Sequence, residues 1–319
     1  MNGSNFMQAV DDYLRTRRAL GFQLLAEETL LRSLARFAAS RGHDGPLTRQ
    51  LAEDWARTSR RSDPYTWARR LSVVRPFARY LSGIDPGTEI PGTSIFGPAH
   101  RRIPPRVLTD EEVSRFVCEA ERLPPGKGLR TRTFATIFGL LACTGLRVSE
   151  SLRLQIEDVD LLDGLLRIRE SKFGKSRLVP LHPSAVAALR SYARQRDTLV
   201  PPGSGPAFFQ LEGGIPVSYS RTRTALQRVR CQLGWDQASS QTRPTLRALR
   251  HTFACRRLVT WYEQGVDVNE RIHALSTYLG HGKVSDTYWY LSGIPRLLAI
   301  GGSRFQGLSD REGAEPCGT

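Results

Sequence analysis

The sequence predicts a mainly α-helical chain of two domains with one small β-hairpin. The length of 319 residues suits two domains that each bury a core. Apolar residues recur at helical spacing through most of both halves. Only the stretch 166–181 alternates apolar and polar residues on either side of a turn at Gly174, as a hairpin does.

The first 82 residues are predicted to form a helical, DNA-binding domain. A first helix is expected to open at Tyr13–Arg18. The apolar stripes of three further helices are Leu30, Leu31, Leu34 and Phe37, then Leu51 and Trp55, then Trp67, Leu71, Val74, Phe77, Ala78 and Leu81. Basic residues such as Arg69 and Arg70 interrupt these stripes. A run of charge is usually a solvated face, but this run is so one-sided that it indicates a surface for phosphates.

Residues 83–106 are predicted to be an extended linker, because they contain five prolines and four glycines. Arg101 and Arg102 in this segment could follow a DNA backbone. A capping box at Thr109–Glu112 then predicts the first helix of a second domain, residues 107–300, and a polar tail follows at 301–319.

The second domain is predicted to be helical around its hairpin. A buried helix at Phe134–Leu141 ends at Gly145, and a short helix runs from Arg147 to Leu154. The hairpin pairs a strand at Leu166–Ile168 with one at Ser176–Leu181. Further helices are expected at 183–197, 220–233, 246–264 and 268–279.

The chain is strongly basic, with a formal net charge of +15 from 46 basic and 31 acidic residues. Arginine outnumbers lysine by 42 to 4, which a GC-rich gene would explain, but codon bias does not explain the excess of basic residues. Such an excess attracts nucleic acid or an anionic membrane surface. No apolar stretch approaches the roughly 20 residues of a membrane span, and the N-terminus lacks a signal pattern. Five scattered cysteines predict neither disulfides nor a zinc site, and a reducing cytoplasm suits them.

Two segments place cations where an anion could bind. Arg147 follows a glycine turn at a helix start, and its planar guanidinium suits two phosphate oxygens, although such an arginine is usually a surface residue. Lys172 and Lys175 are two of only four lysines and lie at the hairpin tip. Lysine is common in turns, but unlike arginine it can deliver a proton to a leaving oxygen.

Two later segments add donors and a candidate nucleophile. Arg247, Arg250 and His251 lie near the start of a predicted helix, where the helix dipole also favours anions. His281 follows a glycine after a helix end, and Tyr290 lies nine residues beyond it. Most tyrosines in such segments only pack, so each segment alone is a modest signal.

Four segments of the chain together resemble the signature segments of tyrosine recombinases, the phage integrase family. They are TGLRVSE, KFGKSRLVPL, LRALRHTFA and LGHGKVSDTYWY. They occur in the order found in that family, and the spacing from His281 to Tyr290 is also that of the family. The resemblance covers residues 107–295 and implies a mainly α catalytic domain with a small sheet. The N-terminal helices resemble that family's core-binding domain in character only.

The resemblance also implies a role for each matching residue. Tyr290 would attack the scissile phosphate, while Arg147 and Arg250 hold its non-bridging oxygens. Lys172 would protonate the departing 5′ oxygen, and His281 would also bond the phosphate. The supporting acidic position is Glu150, which would orient neighbouring donors.

One position departs from the family pattern. Arg247 stands where the family commonly has histidine, and arginine cannot act as a general base near neutral pH, although it can still donate to a phosphate. His251 is a candidate substitute for that base, but a structural role in anchoring the helix is the better interpretation of it.

The resemblance implies double-stranded DNA as partner, a clamp of two domains around it and a homotetramer on two duplexes, with a partner recombinase left open. The apolar segment Ile294–Ile300 is expected to dock on a neighbouring protomer or on its own domain. No metal and no cofactor are expected, since the sequence has no Walker loop, acidic cluster or cysteine–histidine set.

Three other functions stay open from the sequence. A topoisomerase of type IB would nick and reseal one duplex with the same chemistry, and a non-catalytic relative would only bind DNA. An RNA-binding module is a poorer fit, because no RNP-like aromatic motif is present. The DNA site, and whether a phage, a transposon or a chromosomal system carries the gene, are not determined by the sequence.

Overall fold

The computed structural model describes residues 3–99, 106–124, 128–170, 174–237 and 243–291. It divides into two compact units, Met1–Arg102 and Ile103–Thr319. In the described part of the chain, no helix is both long and apolar enough to cross a membrane.

Four helices build the first unit: α1 (Gly3–Ala19), α2 (Leu25–Ser40), α3 (Arg49–Arg57) and α4 (Pro64–Ser82). The predictions of α2, α3 and α4 are confirmed. The expected start of the first helix at Tyr13–Arg18 is wrong, because α1 ends at Ala19. Its buried face already begins at Phe6 and continues with Val10, Tyr13 and Leu14, a helical spacing that sets the start of the helix early.

The segment that follows α4 is fastened to the first unit. The buried guanidinium of Arg75 on α4 donates from Nε to the Pro91 carbonyl at 3.0 Å and from Nη2 to the Gly92 carbonyl at 2.7 Å. Ile95 and Phe96 pack against the helical core. Residues 83–99 therefore belong structurally with the helices, while the proposed division into domain and linker stays a prediction.

Eight helices lie in the described part of the second unit. They are α5 (Asp110–Glu121), α6 (Leu129–Thr144), α7 (Val148–Leu152), α8 (Pro183–Leu199), α9 (Tyr219–Gln232), α10 (Leu246–Glu263), α11 (Val268–Leu279) and α12 (Ser285–Tyr288). The capping box is confirmed: Thr109 Oγ1 accepts from the Glu112 backbone N–H at 3.1 Å, and Glu112 Oε2 accepts from the Thr109 N–H at 3.0 Å. Helix α6 is buried along most of its length and packs against α5, α8 and α10, so it is the central helix of this unit.

The predicted hairpin is the core of a three-stranded antiparallel sheet. Its strands are β1 (Val159–Asp160), β2 (Leu165–Ile168) and β3 (Arg177–Pro180), in the order β1-β2-β3. Leu166 of β2 pairs with Val179 of β3, and both are buried against the core of the unit. The strands β4 (Gln210–Leu211) and β5 (Ile215–Pro216) form a second pair. The sequence analysis missed β1, β4 and β5, because two-residue strands show no alternation.

Replacing Arg75 with methionine should destabilise the first unit. The change keeps most of the buried stem but leaves the Pro91 and Gly92 carbonyls without their donor, and the expected loss is about 1–3 kcal/mol. Urea unfolding measures it. The matched control is Arg79→Met on the same helix, where the side chain is exposed and should lose less than about 0.5 kcal/mol. Equal losses in the two variants would contradict the role given to Arg75.

Candidate active site

Two helix ends form the floor of the candidate site. Helices α6 and α11 both finish in a glycine with left-handed backbone, Gly145 at φ +64° and Gly280 at φ +69°. The last carbonyls of a helix have no partner within the helix and carry partial negative charge. The end of α6 was predicted at Gly145, and this prediction is confirmed.

Arg250 occupies the space between these two helix ends. It projects from the second turn of α10 and donates from Nη1 to the Gly145 carbonyl and from Nη2 to the Leu279 carbonyl, both at 2.8 Å. Only 7% of the residue is exposed. Burial lowers the pKa of Arg250 to about 10, so the guanidinium remains charged at neutral pH.

Arg147 reaches the same region from the N-cap of α7. Its Nη2 donates to the Gly280 carbonyl at 2.6 Å, and its Nη1 donates to Glu150 Oε1 at 2.7 Å. The Arg147 backbone N–H also donates to Glu150 Oε2 at 2.9 Å. One carboxylate thus caps α7 and orients the guanidinium, and Arg147 remains partly exposed.

A third arginine, which the sequence analysis did not single out, completes this cluster. Arg177 at the start of β3 donates from Nη1 and Nη2 to the two oxygens of Glu150, at 3.1 and 2.9 Å, and from Nε to the Tyr278 carbonyl at 2.7 Å. It lies within the motif KFGKSRLVPL, but no local pattern distinguishes it from the other arginines of the chain. Burial alone would raise the pKa of Glu150, yet hydrogen bonds from Arg177 and Arg147 outweigh burial and lower it.

Tyr290 lies beside this cluster in a cage of aromatic rings. Its ring is 5.9 Å from that of His281 and nearly parallel to it, and 5.3 Å from that of His251. Only 3% of Tyr290 is exposed, whereas 42% of Tyr288 is exposed. Burial raises the pKa of the Tyr290 phenol, while the charge of Arg250 and a hydrogen bond from it act in the opposite direction.

His281 is neutral at physiological pH and is held by a hydroxyl that the sequence analysis also missed. Burial, followed by the charges of Arg250 and Arg147, lowers the pKa of His281 to about 4. Its Nδ1 lies 2.6 Å from Oγ1 of the fully buried Thr287 on α12. When the hydroxyl donates to Nδ1, the proton of the ring is on Nε2, which can then donate to an anion.

The other two expected residues on α10 differ in environment. His251 packs against Trp289 and Tyr290, and burial lowers its pKa to about 4. Arg247 is exposed one turn before Arg250, and its charge acts on both Tyr290 and His251. Arg247 can therefore meet an incoming anion, while His251 is a neutral ring in the tyrosine cage.

The remaining predicted residues are partly outside the described structure. Lys172, Arg101 and Arg102 lie outside the described residues. Lys175 and Arg69 are exposed, as a DNA contact requires, but Arg70 is half-buried, with its guanidinium 4.0 Å from the Trp55 ring centre. The structure thus brings together Tyr290, Arg147, Arg250, His281, Glu150 and His251.

This arrangement can bind a tetrahedral anion and stabilise charge that develops on it. The site has a net positive charge, because three guanidinium groups outnumber the single carboxylate of Glu150. These groups belong to Arg147, Arg177 and Arg250, and the exposed Arg247 adds a further positive charge at the edge of the site. Preorganised donors of this kind typically contribute about 2.7–4 kcal/mol each to a transition state that gains negative charge. Within the described ranges, no group of three or more histidines, cysteines and acidic residues could hold a metal ion.

Comparison with known proteins gives the same family throughout. Residues 106–293 match the model of the phage integrase family. The protein y4rB of Sinorhizobium fredii, described as an integrase/recombinase, is 41% identical over 303 residues, which cover 92% of this chain and 95% of the relative. The tyrosine recombinase XerD of Caulobacter vibrioides is 31% identical over 230 residues, covering 71% and 70% of the two chains.

Solved structures share the fold at lower identity. The Tn1549 transposon integrase in complex with transposon right-end DNA superposes with a TM-score of 0.68 at 17% identity, over 95% of this chain and 99% of that one. The XerH site-specific recombinase bound to its palindromic substrate gives a TM-score of 0.66 at 15% identity, over 95% and 85%.

Replacing Gly280 with alanine should destabilise the second unit more than backbone strain alone explains. A Cβ at position 280 would lie 2.7 Å from Nη1 of Arg177, so the guanidinium has to shift, which disturbs its hydrogen bonds to Glu150. Gly265→Ala is the matched control, because φ is +73° there and a Cβ would meet nothing within 4 Å. Urea unfolding should give a loss of about 1–2 kcal/mol for the control and a further 1–3 kcal/mol for Gly280→Ala.

Acid should destabilise the second unit through two half-buried histidines, His251 and His281. Both pKa values lie near 4 in the folded state, below the ordinary 6.5, so the unfolded chain binds more protons between these values and stability falls as pH falls through this window. His251 should account for roughly 2 kcal/mol between pH 7 and pH 5, and the more exposed His281 for less, because solvent screens its interactions. The measurement is urea unfolding at both pH values, in which His251→Phe and His281→Gln should each reduce the difference. An unchanged difference in both variants would contradict this account.

Proposed function

This chain belongs to the phage integrase family and is a tyrosine-type site-specific DNA recombinase, and we propose that Tyr290 is its nucleophile. In this proposal Arg147 and Arg250 hold the scissile phosphate, Lys172 is the general acid and His281 donates to a phosphate oxygen. Double-stranded DNA is the substrate. The intermediate is a 3′-phosphotyrosine, formed without metal or ATP.

The observation that carries the proposal is the position of the Tyr290 phenol. It lies against the charged Arg250, and its ring is 5.3 Å from that of His251 and 5.9 Å from that of His281. Tyr288, two residues earlier, is 42% exposed, compared with 3% for Tyr290. The environment therefore favours Tyr290, because the charge of Arg250 beside this phenol stabilises a phenolate.

The proposed cleavage step exchanges one ester bond for another. The Tyr290 oxygen attacks phosphorus as the bond to the 5′ oxygen breaks, and Lys172 gives that oxygen its proton. Negative charge grows on the non-bridging oxygens, where Arg147 and Arg250 donate. The phenol proton has a neutral imidazole nearby, on His251, whose Nδ1 has no hydrogen-bond partner among the described residues, so its acceptor need not be at position 247.

Religation reverses these steps with a different strand. A 5′ hydroxyl attacks the phosphotyrosine, the Tyr290 oxygen leaves as a phenol and the lysine recovers its proton. The phosphotyrosine ester retains the energy of the broken bond, so neither ATP nor another energy source is needed. Strand exchange needs two duplexes, and we propose a tetramer on DNA for this reason. The segment Ile294–Ile300, outside the described residues, remains the predicted contact between protomers.

A covalent trap tests the nucleophile. A duplex from the DNA that flanks the gene, nicked near the scissile phosphate so that the short 5′-hydroxyl strand diffuses away, should accumulate a protein–DNA adduct on denaturing gels. Tyr290→Phe removes only the reacting oxygen and should reduce the adduct by at least about 10³-fold. Tyr288→Phe is the matched control and should keep at least about half of the wild-type rate.

The other outcomes separate the alternatives. An adduct that survives in Tyr290→Phe and disappears in Tyr288→Phe would assign the nucleophile to Tyr288. The absence of any adduct on the gene's own flanking sequences would favour a relative that only binds DNA. Joint products from two differently labelled duplexes show exchange, while resealing of a single duplex without joint products would indicate a topoisomerase-like enzyme.

A further inference from the structure

We propose that Arg177 is a positioning residue for strand cleavage, which acts through Glu150 to keep the Arg147 guanidinium directed towards the scissile phosphate. The proposal rests on the phosphate-binding role proposed above for Arg147. It concerns a residue that does not itself touch the reacting atoms.

The bonds of Arg177 leave its guanidinium little freedom to rotate. Its Nη1 and Nη2 donate to the two oxygens of Glu150, and its Nε donates to the Tyr278 carbonyl at the end of α11. Gly280 packs against the same guanidinium, so closely that a Cβ there would lie 2.7 Å from Nη1. The Arg177 side chain is 10% exposed, compared with 25% for Arg147. Arg177 is thus the buried member of the pair, and Arg147 is the one that solvent or DNA can reach.

The carboxylate of Glu150 accepts hydrogen bonds from both Arg147 and Arg177, and this arrangement sets the orientation of the Arg147 guanidinium. Its side chain is 1% exposed, and Oε1 accepts from both guanidinium groups while Oε2 accepts from Arg177 and from the Arg147 backbone. The Arg147 guanidinium therefore binds the carboxylate through Nη1 only, and its Nη2 donates to the Gly280 carbonyl. This single attachment leaves donor positions of Arg147 available for an anion.

The loss of Arg177 should change how Arg147 binds Glu150. A buried carboxylate without its main partner seeks the nearest cation, because an unpaired charge in a buried site is strongly unfavourable. Arginine and carboxylate readily form a bidentate pair. Arg147 would then turn both terminal nitrogens to Glu150 and withdraw them from the phosphate. The sequence position of Arg177 suits this role, since β3 begins there and Lys172 precedes it by only five residues in the chain.

The test compares two substrates in single-turnover cleavage of the nicked duplex. One has the natural scissile phosphodiester, and the other has a methylphosphonate, in which one charged oxygen is replaced by a methyl group. Arg177→Met should slow cleavage of the phosphodiester roughly 10- to 100-fold, as expected for a misdirected donor. On the methylphosphonate, which has no charge for Arg147 to neutralise, it should slow cleavage less than about threefold.

Three variants make the comparison decisive. Arg147→Met should show the same substrate pattern with a larger defect, since it removes the donor itself. Arg196→Met removes a buried arginine that binds Asp197 and the Phe208 carbonyl elsewhere in this unit, so any effect should be equal on both substrates. Glu150→Gln should recover part of the rate lost in Arg177→Met, because a neutral amide no longer attracts Arg147.

Equal slowing of both substrates by Arg177→Met would overturn the proposal and leave Arg177 with a structural role only. So would a further loss, rather than a partial recovery, in the double variant with Glu150→Gln. If Arg147→Met also slows the phosphodiester and the methylphosphonate equally, that result would instead contradict the phosphate-binding role of Arg147. The positioning role and the proposed function can therefore fail separately.

Discussion

The candidate site depends on hydrogen bonds from arginines to the carbonyls at two helix ends. At the end of α6, the Gly145 carbonyl accepts a hydrogen bond from Arg250. At the end of α11, the carbonyls of residues 278–280 accept hydrogen bonds from Arg177, Arg250 and Arg147, in that order. Helix C-termini carry unpaired acceptors and partial negative charge, so they bind cations. The same bonds satisfy buried carbonyls and hold the guanidinium groups in place before any anion arrives. Stability of the domain and preorganisation of the site therefore come from one set of contacts.

Burial and charge oppose each other around Tyr290, and the balance sets the protonation states. Burial disfavours charge on the phenol and on both histidines, while Arg250 favours a negative phenol. The same arginine makes a positive histidine less favourable, so His251 and His281 are neutral rings beside a neutral phenol. An incoming phosphate adds negative charge to a site with excess positive charge, which suits a reaction whose transition state gains negative charge.

The fold of this chain was predictable wherever local patterns carry the information. The stripe on α2 and the capping box of α5 each lie within one segment, and both were located correctly. The first helix was placed too late, because its apolar face starts at Phe6, close to the chain terminus. The two-residue strands were missed because an alternation of apolar and polar residues cannot be recognised over two positions, as in Val159–Asp160.

By itself, the sequence predicted the chemistry that we propose for the site: four short segments in a recognisable order contain the arginines, the histidines and the tyrosine. Only the tertiary structure decided which of the 42 arginines meets Glu150. Arg177 has the same side chain as the other arginines, and its hydrogen-bond partners Glu150 and Tyr278 lie 27 and 101 residues away in the sequence. The packing of β3 against α11 and the ion pair from Arg177 to Glu150 on α7 bring them together, and no local pattern encodes such a contact. Likewise, only packing distinguishes the buried Tyr290 from the exposed Tyr288, since burial depends on what covers a side chain.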